Sequence, residues 1–200
     1  MHTNVPRAVF WMIYYALVTP GLAAQIQAEV APAFAASGAA PSIDYLQDSC
    51  PRLLALYLEV LRISSGSGTA RELVSDIVSA GYFYRSGRKV IAPSPPPHMS
   101  TEFWGADAGE FRADRFLAND FETEQARALR YRPYGGGVTF CPGRFFAKTE
   151  LLVFTASVLH RRDIVLVGDT VPEMDGGKAS IGILDPKKGC APKVLFRSRS

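Results

Sequence analysis

The sequence predicts a mainly α-helical chain with small β sheets. Three observations carry that expectation. Apolar residues recur at helical spacing in three separate runs: Phe10, Ile13, Tyr14 and Leu17; Leu54, Leu58 and Leu61; Ala147, Leu151, Phe154 and Val158. Between and after these runs lie short β-rich stretches cut by Gly and Pro. Apolar residues make up 48% of the 200 residues and charged residues 20%, so a core can form and a disordered tail is excluded.

The first helix is expected from about Val5 to Val18, stopped by Thr19-Pro20-Gly21. Its apolar stretch follows Arg7 and precedes the small residues Gly21 to Ala24. It fits the core of a secretory leader as well as it fits a buried helix. It is too short for a membrane span, which needs about 20 apolar residues. A second helix covers Leu22 to Val30 and ends before Pro32, and Ala31 to Ser42 reads as a loop. A third helix opens at Cys50-Pro51, with Pro in its first turn, and stops within Ser64 to Gly68.

Val74 to Val78, Tyr82 to Tyr84 and Lys89 to Ile91 read as strands, punctuated by Gly81 and Ser86-Gly87. Pro93, Pro95, Pro96 and Pro97 argue against both helix and central strand. Residues from His98 to Tyr134 read as loop, and Gly135-Gly136-Gly137 as a flexible turn. A fourth helix is expected from Pro142 to about His160. Ile164 to Val167, Ile181 to Leu184 and Val194 to Phe196 suit a small closing sheet. No repeat or shift in composition marks a domain boundary.

The net charge is +3 with no dense basic block, which argues against nucleic-acid binding by phosphate neutralisation. The three cysteines, Cys50, Cys141 and Cys190, are odd in number and widely spaced. That speaks against a disulfide framework and a structural zinc site, and favours a reducing compartment. Each is then a small hydrophobe or a functional thiolate.

The chemistry concentrates at Arg132-Pro133-Tyr134-Gly135-Gly136-Gly137-Val138-Thr139-Phe140-Cys141-Pro142-Gly143-Arg144. Cys141 stands just before a helix expected to begin with Pro142. Unpaired N–H groups and the positive dipole end favour its thiolate. Pro142 donates no N–H, Gly143 adds no side chain, and the glycines before Cys141 are equally bare. A flat ligand can therefore approach this backbone closely. These are the requirements of a cysteine that ligates a metal held in a planar cofactor. Cys50 reads as a core residue at the start of a helix and Cys190 as a turn residue.

This segment resembles the haem-binding signature of the cytochrome P450 family. Tyr134, Gly137, Cys141 and Gly143 fill its frame, and Ala147 stands where the family prefers Ala. The family prefers Phe at the place of Tyr134, and a basic residue at the place of Thr139. Three further features follow the family's order. Glu59-Val60-Leu61-Arg62 looks like its E-x-x-R pair, and at i, i+3 the two charges share one helix face. Phe111-Arg112-Ala113-Asp114-Arg115-Phe116 looks like its aromatic–x–Pro–acid–Arg–Phe segment, with Ala113 replacing Pro. His98, six residues before Trp104, looks like its His-x-D-P-x-x-W stretch, without the Asp-Pro.

The resemblance implies a role for each. Cys141 is the axial ligand of haem iron, pushing electron density onto the metal. Tyr134, Gly135, Gly137, Gly143 and Ala147 surround the haem, and Arg71, nine residues after Arg62, meets a propionate. Glu59, Arg62 and Arg115 form a buried charge network with His98 as a hydrogen-bonding support. Two Arg around one Glu are costly to bury unless fully hydrogen-bonded. Met1 to Trp11 looks like the second half of the family's long I helix, which favours the buried-helix reading over a leader. Pro6 and Trp11 resemble the branch with cholesterol 7α-hydroxylase, prostacyclin synthase and related fungal members. Thr3 then holds the catalytic alcohol position and His2 the place of the acid.

By the same resemblance the expected fold is the C-terminal, haem-cysteine portion of the P450 architecture, with residues 1–200 as one partial domain. The expected function is haem-thiolate monooxygenation of a small apolar substrate on haem b. Electrons come from NADPH–cytochrome P450 reductase, docked near Arg130, Arg132, Arg144 and Lys148. The location is the cytosolic face of the endoplasmic reticulum, reached through an N-terminal anchor that these residues do not include. The alternatives are a truncated, non-catalytic fragment with weak or no haem binding, and a P450-type isomerase.

Overall fold

The computed structural model describes residues 4–35, 40–117, 130–176 and 182–198. Four helices carry the core: α1 (Asn4–Val18), α2 (Leu22–Ala35), α4 (Pro51–Ser64) and α7 (Arg144–Arg161). The short α3 (Ile43–Asp48) packs against α2, α4 and α7. Trp11, Met12, Ile26, Val30, Leu46, Leu53, Leu56, Leu151 and Leu152 meet in the centre with almost no exposed surface. Full burial of one such side chain stabilises by roughly 1.5–3 kcal/mol. A second, smaller cluster of Ala55, Trp104, Ala108 and Phe116 sits beside α4.

Helix α1 stops where Thr19-Pro20 removes a donor and Gly21 turns the chain with φ 75°. The α1–α2 pair is bent by 115° at this break. Among the described residues no single helix is long and apolar enough to cross a membrane.

Helix α2 runs through Pro32 rather than ending before it. Pro32 points outward while Ala33 and Phe34 are buried, and Phe34 stacks on His160 at 4.2 Å. Packing of the last turn outweighs the lost hydrogen bond. Helix α3 lies in a stretch for which the sequence signalled nothing. Ser42 starts it by accepting a hydrogen bond from the Tyr45 N–H, 3.3 Å. Helix α4 starts at Pro51 and has a cap from another helix. The Glu29 carboxylate of α2 accepts the N–H groups of Arg52 and Leu53, both at 3.0 Å. Cys50 is buried at this start, and burial pushes its thiol up to about 11.

Among the described residues the β structure is three antiparallel two-stranded ribbons. β1 (Gly68–Glu72) pairs with β4 (Lys89–Pro93), β2 (Ile77–Ser79) with β3 (Tyr82–Tyr84), and β5 (Arg162–Val167) with β6 (Lys193–Ser198). β1 was not legible: Gly68-Thr69-Ala70-Arg71-Glu72 lacks β-branched alternation and is held by its partner. The expected strand over Val74 to Val78 begins only at Ile77. Pro93 closes an edge strand, and the following prolines form the first turn of α5 (Pro95–His98), where missing N–H groups cost nothing. α6 (Thr101–Trp104) is a further short helix in the expected loop. Of the Ile181 to Leu184 run, Ile181 lies outside the described residues. Ile183 makes only an isolated bridge to Ser65, at the end of α4, instead of joining the closing sheet.

Candidate functional site

The cysteine loop hangs between two anchored points. At its start the Arg132 N–H donates to His98 Nε2, 2.8 Å. His98 in turn reaches the Arg62 carbonyl of α4 through Nδ1, 3.1 Å. Since Nε2 accepts, the ring is the neutral tautomer with its proton on Nδ1. Burial pushes His98 down to about 4. At the loop's middle, the Tyr134 and Tyr57 hydroxyls share a hydrogen bond of 2.9 Å. Burial raises the Tyr134 phenol above its ordinary range, so it stays a neutral hydrogen-bonding group.

Gly135 and Gly137 take φ of 77° and 69°, left-handed values that favour glycine. They fold the loop back so that the Cys141 N–H donates to the Tyr134 carbonyl at 3.1 Å. The Cys141 carbonyl accepts the Arg144 N–H and Nη1, at 3.3 and 3.2 Å. Helix α7 opens at Arg144, two residues later than expected, with Gly143 as its cap. Pro142 and Gly143 form a turn between the thiol and the helix, and a Cβ at Gly143 would stand 4.0 Å from Cys141 Sγ.

Cys141 lines a cavity of about 300 Å³. Tyr134, Gly135 and Ala147 share its wall with Cys141. Arg71 of β1 stands at the same cavity, half-buried, with Nη2 on the Gly136 carbonyl at 3.3 Å. Asn4, Val5 and Ala8 of α1 and the Gly182-Ile183 pair form other parts of the wall. Thr3 and His2 lie outside the described residues. Gly137 and Gly143 belong to the loop but not to the cavity lining.

The charge network is built around Glu59 and Arg62 of α4 and Arg115. Glu59 and Arg62 have no exposed surface, and Arg115 is 4% exposed. Arg62 pairs with Glu59 through Nε and Nη2, both at 2.8 Å. Its remaining N–H groups go to the carbonyls of His98, Ala108 and Glu110 at 2.7, 2.6 and 3.0 Å. Arg115 Nε reaches Glu59 at 3.0 Å, and the Arg112 N–H donates to the same Glu59 oxygen at 3.0 Å. Asp107 supplies the second negative charge, bonded to Arg115 Nη1 at 3.2 Å and Arg112 Nη1 at 3.1 Å. The Arg115 hydrogen bond holds the Asp107 carboxyl below its usual range. Two acids thus offset the cations, which the sequence reading missed: Asp107 sits in a loop with no local pattern.

The cations expected to meet a reductase have local partners. Arg144 stacks over Phe140 and Phe145, at 5.1 and 4.2 Å, and Arg130 over Phe103 at 5.1 Å. The Arg132 side chain lies along Gly136. Lys148 lines a second cavity with Phe140, Tyr57 and Tyr134.

Among the described residues no three His, Cys, Asp or Glu side chains converge to hold a bare metal ion. A single thiol in a glycine-lined cavity suits a metal that arrives in its own ring of ligands. This is the class of cysteine-ligated haem folds. Residues 4–192 match the family model for Cytochrome P450, and the chain belongs to that family. A cytochrome P450 monooxygenase of Gibberella zeae is 32% identical over 184 residues, covering 87% of this chain and 34% of the relative. Cytochrome P450 7A1 of Sus scrofa is 31% identical over 204 residues, covering 92% and 40%. The crystal structure of the cytochrome P450 CYP102L1 superposes with a TM-score of 0.78 at 24% identity, covering 98% of this chain and 42% of that one. The chain therefore spans about a third to two-fifths of the length of these proteins. Family membership implies haem as cofactor.

Proposed function

We propose that this chain, as one partial domain over residues 1–200, forms the cysteine-bearing part of a haem-thiolate monooxygenase site for an apolar organic substrate. The observation that supports this most is one cavity bounded by Cys141, Arg71 and the first turn of α1. The residues fit a planar cofactor: a thiol donor, glycines beside it, a cation at the edge and aliphatic side chains opposite. Bound there, haem b supplies the oxygen-activating chemistry, one atom of dioxygen entering the substrate and the other leaving as water.

The chain's own residues do the rest. Cys141 Sγ would hold the iron, and Gly135 in the cavity wall would let the ring approach the backbone, with Gly137 and Gly143 shaping the loop that carries the thiol. Tyr134 is fixed by Tyr57 against the same wall, and Arg71 offers its charge to a propionate. Val5, Ala8 and Ile183 present an apolar surface that favours an apolar substrate and excludes water. Thr3, which lies outside the described residues, is assigned by family resemblance as the alcohol that would hand on a proton. The electron donor is NADPH–cytochrome P450 reductase, approaching Arg130, Arg132, Arg144 and Lys148. The setting is the cytosolic face of the endoplasmic reticulum.

The test is a reduced, carbon-monoxide difference spectrum of the 200 residues loaded with haem. A strongly red-shifted thiolate-type Soret band is expected. Cys141→Ser removes it, while Cys50→Ser and Cys190→Ser keep it. An imidazole-type band, or an unchanged spectrum for Cys141→Ser, overturns the assignment.

A further inference from the structure

Ile183 sits in a short extended segment, 182–185, whose two edges are satisfied in different ways. On one edge the partner is backbone. The Gly66 N–H donates to the Gly182 carbonyl and the Leu184 N–H to the Ser64 carbonyl, both at 2.8 Å. Alternation along an extended chain turns the N–H and C=O of Ile183 itself to the opposite edge. There the partners are side chains of α1. Asn4 Oδ1 accepts the Ile183 N–H at 3.1 Å, and Arg7 Nη1 donates to its carbonyl at 3.3 Å. Trp11 Nε1 donates to the Leu184 carbonyl at 2.8 Å, and Arg7 Nε pairs with Asp185 at 2.6 Å. Asn4, Arg7 and Trp11 are spaced i, i+3, i+7, so they form one ladder on one helix face.

The ladder ends on the cavity. Ile183 is 6% exposed and lines it together with Gly182, Val5 and Ala8. The Asn4 amide lies where a Cβ at residue 182 would stand, so Asn4 and Gly182 fit only as a pair.

We infer that Asn4 and Arg7 are positioning residues: they latch segment 182–185 to α1 and thereby hold Ile183 as a size-limiting wall of the Cys141 cavity. The latch is a property of the polypeptide, whereas the size limit rests on the proposed haem site. Arg7 does not line the cavity and acts on a ligand through Ile183, whereas Asn4 latches the same segment and is also part of the wall.

Two measurements separate these parts. The first is amide exchange across 182–185 in the protein without haem. Asn4→Ala and Arg7→Ala each raise exchange there roughly fivefold, the size of one net hydrogen bond. Asn4→Asp keeps an acceptor oxygen and keeps the protection, and Asp185→Asn tests the ion pair without changing side-chain size. The second is the affinity of haem-loaded protein for imidazole and for the larger 4-phenylimidazole. In Arg7→Ala, which removes a latch residue outside the cavity lining, the ratio of the two affinities shifts by roughly fivefold on the same basis, with imidazole alone little changed. Exchange in the wild type as fast as in Asn4→Ala overturns the latch. Altered exchange with an unaltered affinity ratio overturns the positioning role and leaves a merely structural contact. If no thiolate-type spectrum forms, the proposed function and with it the size limit fall, and exchange decides the latch alone.

Discussion

His98 Nε2 accepts the backbone N–H of Arg132 at 2.8 Å, so one buried imidazole ties the start of the cysteine loop to the end of α4. The bond requires the neutral ring. A charged ring has no lone pair on Nε2 to accept with.

The pH dependence follows. His98 is pushed down from 6.5 to about 4 in the fold. The unfolded chain therefore binds the proton more readily. The contribution of neutral His98 is complete above about pH 6.5 and is lost as pH falls toward 4, a span of roughly 3 kcal/mol. Urea midpoints between pH 7 and pH 4 should fall for the wild type more steeply than for His98→Gln. Parallel slopes would contradict this.

Glu59 holds the centre of the charge network, with one oxygen shared by Arg62, Arg112 and Arg115. Glu59→Gln leaves two buried guanidinium groups short of one compensating charge. The expected loss is about 3–5 kcal/mol by denaturant unfolding. Asp107→Asn should cost less, because Asp107 is partly solvated and Glu59 remains.

Glu29 caps α4 from α2 through two backbone donors. Glu29→Ala should cost about 1–2 kcal/mol. Glu29→Gln retains one acceptor oxygen and should lose about half of that. The comparison of thermal midpoints checks both.

Gly135 turns the loop at φ 77°, and a Cβ there would come within 3.4 Å of Thr69 Oγ1. Gly135→Ala should cost roughly 1–2 kcal/mol from backbone strain. It should also weaken haem uptake, read from Soret titration. Gly81, with φ 79° and open space around it, serves as the control for strain away from the cavity.

The helical half of the fold was legible because its periodicity is local. α1 and α4 appear within a residue of their expected bounds, since the stripe lies inside each segment, Pro20 follows the end of α1 and Pro51 marks the start of α4. α3 and β1 were not legible, for they are held by partners distant in sequence. Among site residues, Cys141 stood out through its glycine and proline surroundings, and Glu59, Arg62 and Arg115 through their resemblance to the family's motifs. The structure brings the last three together and places Cys141 at a cavity with Arg71. Tyr57, Asp107 and Asn4 did not stand out: each earns its place through a partner 77, 8 and 179 residues away, and no local pattern encodes that.

The ladder from α1 to residues 182–185 also sets an order in time. Asn4 leaves the ribosome 179 residues before its partner Ile183. At about 5–20 residues per second, that is an interval of roughly 10–40 s. Throughout it, Asn4, Arg7 and Trp11 lack the partners at residues 183–185 that they have in the fold. Of the cavity's lining, Gly182 and Ile183 come after every other contributor in chain order, so during synthesis the chamber beside Cys141 stays unroofed until that segment emerges.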